Sequence, residues 1–435
     1  MSAAPAEAAA PRPSAEAGSQ HLPALDGLRG LAILLVMQYH FWGLAFGLTG
    51  WKPTLAIDRY AKKLFGTGWS GVDLFFVLSG FLITSILYDA KRSGFYFRNF
   101  YARRFLRIFP LYYAFLAIAL LILPNFDRLV GPGQFEALRD SQLWYWTYTV
   151  NIGSSIHQLQ ANAPLVYSQF WSLAVEEQFY LLWPLLILVF SRRTMMALCG
   201  ALIIGALALR IIFVQPISSS FATLAAPYNL LPSRVDTLAL GALLALALRG
   251  GYDLLQYRKH ALAVGAASAA VLAALFIAQG GLSALDQWVQ TIGLSAFAFL
   301  YASLLLLVLT SLPGSPLHRI FTHFTLRSLG RYSYAIYVFH LLVAFQVSAQ
   351  INRSEQMRTV LGSQIPWNIL FSVICSTISI AAAWLSWHLV EKQVLKLKRF
   401  VPYGRRAAEP AAQRAGHERP PLEPARFDRP AAIKE

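Results

Sequence analysis

Long apolar blocks separated by short polar ones run along this chain from about residue 22 to residue 395. Ten blocks stand out, at about 29–48, 69–88, 108–124, 172–190, 195–214, 232–249, 261–279, 289–312, 333–350 and 367–389. Each approaches the ~20 residues that an α-helix needs to cross ~30 Å of hydrocarbon. The third is short and begins directly after a run of arginines. The pattern predicts an all-α, polytopic membrane protein of about ten transmembrane helices. Residues 1–21, made largely of Ala, Pro, Ser and Glu, read as a disordered tail rather than a signal peptide. Residues 396–435, basic and without apolar periodicity, read as a second disordered tail. Residues 22–395 form one membrane domain between them.

The basic residues orient the spans. With the N-terminus in the cytoplasm, the inner segments collect Lys91, Arg92, Arg98, Arg103, Arg104, Arg107, Arg192, Arg193, Arg249, Arg258, Lys259, Arg319, Arg327 and Arg331. The outer segments hold fewer and more scattered cations, so both termini are expected inside. The one long outer loop, residues 125–170, carries Trp144, Tyr145, Trp146 and Tyr148 and suits an interfacial segment.

Composition agrees. The 435 residues are 56% hydrophobic and only 13% charged, with a mean hydropathy of +0.49. Soluble proteins carry roughly 25% charged residues. The net charge of +16 does not indicate nucleic acid, because the cations cluster between apolar spans, where they set topology and meet lipid headgroups. Cys199 and Cys375 both lie within apolar stretches, which excludes a disulfide framework and a metal-binding cysteine pattern.

Ionisable residues at membrane depth are costly and therefore point to function. His40 follows Arg29 by eleven residues, ~16 Å along a helix and on nearly the same face. Asp26 falls near that face. The stripe would join one membrane surface to a buried imidazole; the alternative is a histidine that only hydrogen-bonds a neighbouring span. Arg104 and Arg107, beside Arg103, have the i, i+3 spacing and bidentate donors suited to phosphate, although topology alone also places cations there. Glu176 and Glu177 sit among aromatic residues at the outer end of the fourth span. Being adjacent, they point to different faces and so to different tasks. Arg234 and Asp236 read as a structural ion pair. Asp73 and Ser79 lie in the second span, where Gly80 permits close helix approach. His340, on a face with Tyr337, is a second buried imidazole and the rival of His40 for a catalytic role.

Six segments then fall into a known order: residues 25–32 (LDGLRGLA), 71–81 (GVDLFFVLSGF), 103–110 (RRFLRIFP), 170–180 (FWSLAVEEQFY), 234–241 (RVDTLALG) and 332–340 (YSYAIYVFH). Together they resemble the acyltransferase-3 family of integral membrane acyltransferases. One departure is Glu391–Lys392–Gln393, where members often have Glu-x-Pro. The resemblance implies transfer of an acyl group, usually acetyl from acetyl-CoA, to a hydroxyl of a carbohydrate or glycolipid acceptor in a bacterial envelope. It matches Arg29 and His40 to the family's Arg/His pair, and Arg104 and Arg107 to its RxxR. The chain reads as a stand-alone membrane module without the hydrolase-like domain that some members carry. On this reading, acyl-CoA is a co-substrate whose phosphates dock on Arg29, Arg104 and Arg107, and no resident cofactor or metal is expected. The acceptor enters from outside past Glu176 and Glu177, and His40 is the general base, oriented by a carboxylate. The expected setting is the bacterial plasma membrane, with membrane lipids as neighbours and no nucleic-acid partner. The competing reading is a transporter or flippase in which buried His and Glu relay protons, against which stands the lack of an internal repeat.

Overall fold

The computed structural model describes residues 22–47, 55–122, 134–156, 165–214, 226–352 and 359–401. Of the two expected tails, residues 1–21 and 402–435 lie outside the described residues, whereas Lys396–Phe400, at the start of the second, forms a short helical turn that continues the last span. The helices in chain order are α1 (Pro23–Gly47), α2 (Ala56–Phe65), α3 (Gly71–Ala90), α4 (Tyr96–Ala117), α5 (Gln134–Trp146), α6 (Val150–Ile156), α7 (Phe170–Val189) and α8 (Arg192–Val214). They continue with α9 (Leu231–Arg249), α10 (Arg258–Gln279), α11 (Leu294–Leu309), α12 (Pro316–Thr322), α13 (Phe324–Asn352), α14 (Ile365–Ser386) and α15 (Lys392–Leu395). Among the described residues, ten helices are long and apolar enough to cross a membrane, and no strand forms.

The third span differs from its expected start at 108. Helix α4 begins at Tyr96, so Arg98, Arg103, Arg104 and Arg107 lie inside it rather than ahead of it. Burial sorts the spans into layers. In the segment containing α3, 78% of the residues in its apolar 18-residue stretch are buried, against 17% in those of α8 and α10, which lie at the rim of the bundle.

Two close helix crossings set the centre. Between α3 and α9, a Cβ on Gly80 would lie 1.9 Å from the Leu238 carbonyl oxygen, so the backbones touch where the sequence has no side chain. Between α1 and α13, which run in the same direction, Gly330 meets the Asp26 carbonyl in the same way. This second crossing brings the far halves of α1 and α13 together, and with them His40 and His340.

The aromatic segment before α7 packs against the protein interior, with Trp144 and Trp146 half-buried. Tyr145 and Tyr148 are buried, and α5 and α6 fold back into the bundle. Gln178 holds them there: its Nε2 donates to the Tyr148 carbonyl at 3.0 Å and to Asn151 Oδ1 at 2.8 Å, while Asn151 Nδ2 returns a bond to Gln178 Oε1 at 3.2 Å. Gln178 lies eight residues into α7, about 12 Å along its axis. Tyr112 and Tyr113 of α4 add hydroxyl donors to the Tyr145 and Trp146 carbonyls. Backbone carbonyls that lipid could not satisfy therefore find partners within the protein.

Candidate active site

Two adjoining cavities lie side by side among the described residues of the bundle. The first, of about 120 Å³, is lined by Arg29 from α1, Ser79 from α3, Arg104 and Arg107 from α4, Glu176 and Tyr180 from α7, and Tyr334 and Tyr337 from α13. The second, of about 220 Å³, is lined by Tyr39 and His40 from α1, Trp69, Tyr145, Gln169, Trp171, Tyr228 and again Tyr337. Val72 and Tyr337 line both, so the cavities lie back to back across these two side chains. The helical face that carries Arg29 and His40 runs along them, with Arg29 at the first and His40 at the second.

In the first cavity the guanidiniums have fixed surroundings. Arg29 faces Asp26 at 3.6 Å. The Arg104 guanidinium stacks 3.9 Å from the centre of the Tyr180 ring, and Arg107 lies 5.8 Å from that of Trp387. Tyr180 is held in turn: its hydroxyl donates to Glu176 Oε2 at 2.9 Å, and Ser79 Oγ donates to Glu176 Oε1 at 2.7 Å. Glu176 thus anchors the ring on which Arg104 rests. The sequence expectation put both glutamates on the acceptor's path to His40. The structure instead puts Glu176 among the arginines, and neither glutamate lines the His40 cavity. Glu177 faces a separate groove with Tyr101, Phe109 and Tyr148, and its Oε1 is buried without a hydrogen-bond partner among the described residues. The two carboxylates do occupy different faces, as adjacency on a helix requires.

At the second cavity the two histidines, treated above as rivals, are in contact. His340 Nε2 lies 3.1 Å from His40 Nδ1, with ring centroids 4.9 Å apart. His40 Nδ1 also lies 3.0 Å from the Val36 carbonyl, and His340 Nδ1 lies 2.8 Å from the Tyr337 carbonyl. The carboxylate expected to orient His40 is replaced by an imidazole and a backbone carbonyl. Tyr337 is fixed at the partition: its hydroxyl donates to the Gln169 carbonyl at 2.7 Å and pairs with Ser172 Oγ.

Arg234 and Asp236 do not pair with each other. Arg234 Nη2 donates to Asp73 Oδ1 at 2.7 Å, both side chains being fully buried. Asp236 Oδ2 takes Arg210 Nη2 at 2.8 Å, and Arg210 also reaches Ser295 Oγ at 2.6 Å. Sequence reasoning passed over Arg210, although a lone arginine in the apolar run 201–214 is the same signal that picked out His40. Arg234 is ringed by Tyr228 at 4.9 Å and by Phe76 and Trp171, each at 5.8 Å. These aromatic side chains belong to the walls of the two cavities, so the buried pair braces the partition.

Residues 22–388 match the profile of a family described as an acyltransferase domain, and this span covers nearly the whole membrane unit. The chain belongs to the acyltransferase-3 family. It is 30% identical to the peptidoglycan O-acetyltransferase OatA of Listeria monocytogenes over 74% of this chain and 49% of that protein. The O-acetyltransferase OatA of Staphylococcus aureus is 29% identical over 74% of this chain and 50% of its own length. YrhL of Bacillus subtilis is 28% identical over 86% of this chain and 55% of its own length. The chain thus spans about half the length of the curated relatives it matches. No solved structure matches it. Ten apolar spans and bacterial relatives of this family make it a multi-pass protein of the bacterial plasma membrane. Nothing in these likenesses favours the transporter reading.

Proposed function

We propose that this protein is a membrane O-acyltransferase that moves acetyl from acetyl-CoA to a hydroxyl of a cell-envelope glycan, peptidoglycan being the acceptor for which its Listeria relative is named. The observation that carries this reading is the pair of cavities meeting at Val72 and Tyr337, one rich in arginine and the other holding an imidazole. A negatively charged donor and a neutral hydroxyl acceptor call for these two environments.

In this reading the arginine end of the bundle faces the cytoplasm, in keeping with the concentration of cations there. The phosphates of acetyl-CoA sit against Arg29, Arg104 and Arg107, whose planar donors bind phosphate bidentately. Glu176 and Tyr180 keep Arg104 in place for that contact. The thioester arm reaches past Tyr337 toward His40. The acceptor hydroxyl enters the second cavity and gives its proton to His40 as its oxygen attacks the acyl carbon. The new C–O bond replaces the C–S bond, and the departing thiolate takes up the proton. General-base help of this kind contributes about 10²–10⁴-fold in rate.

The test compares base-labile acetyl on purified envelope glycans from cells carrying the wild type, His40→Ala or an empty vector. Acetyl is expected with the wild type alone, at equal amounts of inserted protein. Equal acetylation with His40→Ala would remove His40 from the base role. No gain over the empty vector would argue against the glycan acceptor.

A further inference from the structure

We propose that His340 is a positioning residue that fixes which nitrogen of His40 receives the acceptor's proton and then shares the resulting charge. This rests on the reading of His40 as the general base. The argument follows the hydrogens. His340 is fully buried, and its Nδ1 lies 2.8 Å from the Tyr337 carbonyl oxygen, which can only accept. Nδ1 therefore carries the hydrogen, and a neutral imidazole has only one, so Nε2 holds a lone pair. That lone pair lies 3.1 Å from His40 Nδ1, which must then be the donor. The Val36 carbonyl, 3.0 Å from the same nitrogen, requires the same assignment. His40 is left with its free lone pair on Nε2, and of the two rings only His40 lines the second cavity.

The chain of contacts runs from the Tyr337 carbonyl through His340 to His40 and on to the cavity. In serine hydrolases a carboxylate stands where His340 stands here. Among the described residues, no carboxylate hydrogen-bonds either ring; the rings of Tyr39, Phe41 and Tyr337 lie against them. When the acceptor oxygen attacks the thioester carbon, its proton passes to His40 Nε2. The Nδ1–H of the resulting imidazolium then makes a charge-assisted bond to His340 Nε2. As the C–S bond breaks, the proton leaves Nε2 for the thiolate, and both imidazoles return to neutral with their hydrogens as before.

The experiment uses the full chain in liposomes and measures initial rates against acetyl-CoA concentration for wild type, His340→Leu, His340→Gln and His40→Ala. Glutamine can place Oε1 near the position of Nε2 and accept the same bond, whereas leucine cannot. His340→Leu is expected to lower kcat about 10²-fold with KM for acetyl-CoA unchanged, and His340→Gln to regain about tenfold. Wild-type kcat in His340→Leu, or His340→Gln as slow as His340→Leu, would overturn the proposal. Activity in His40→Ala would instead overturn the reading of the base, so the two failures are distinguishable.

Discussion

Arg234 and Asp236 are two residues apart on one helix, which sets their side chains about 200° apart around the axis. Each must therefore find its partner on another helix, and each does: Arg234 on α3 through Asp73, and Asp236 on α8 through Arg210. The helical wheel alone excludes the intrahelical pair, but the choice of partners depends on the packing of α3, α8 and α9 and is not written in any local pattern. A buried charge left without its partner costs about 3–5 kcal/mol. Arg234→Met should therefore lower the melting temperature of the purified protein markedly. Adding Asp73→Leu should recover part of the loss, because no carboxylate is then stranded. An unchanged melting temperature in Arg234→Met would contradict the structural role of the pair. The histidines carry the same lesson. His40 was legible as an imidazole in a span, and His340 as another. Their 3.1 Å contact joins residues 300 positions apart and exists only once α1 lies on α13.

Among the elements, the ten spans could be read from hydropathy because lipid demands long apolar helices with their backbone hydrogen bonds closed internally. The fold-back of α5 and α6 could not. Its aromatic residues have the composition of an interfacial segment, and its carbonyls are satisfied by Gln178, Tyr112 and Tyr113 from distant helices. The glycines were half legible. Gly80 marked a close approach, but its partner surface at Leu238 was not identifiable from sequence. The reciprocal contact at Gly241, where a Cβ would lie 2.0 Å from the Val77 carbonyl, gives a direct test. Gly241→Val should force α3 and α9 apart and sharply reduce the yield of monodisperse protein from membranes. A normal yield and melting temperature would mean that this crossing has slack.

At the scale of the whole molecule, the proposed function divides labour between the arginine-lined cavity and the histidine-lined one. Arg104 and Arg107 lie at the arginine end, and their loss should be felt in donor binding rather than in chemistry. A hydrogen bond to a charged group contributes about 1.5–3 kcal/mol, so Arg104→Gln or Arg107→Gln should weaken acetyl-CoA binding by about tenfold or more. Titration calorimetry on the purified protein reads this directly, and unchanged affinity in both variants would remove the phosphate assignment. The sequence placed these arginines at the start of a span but misplaced the glutamates. Helix register brought Glu176 to the arginine cavity, and only the packing of α7 against α3 and α4 reveals it. The most direct test of the proposed transfer uses sealed proteoliposomes, with radiolabelled acetyl-CoA outside, glycan oligosaccharide inside and the insertion direction determined by protease access. Label should enter the glycan as base-labile ester through molecules whose arginine end faces outward, and His40→Ala should leave the glycan unlabelled. Labelling that is indifferent to the side of the donor, or that persists in His40→Ala, would contradict it.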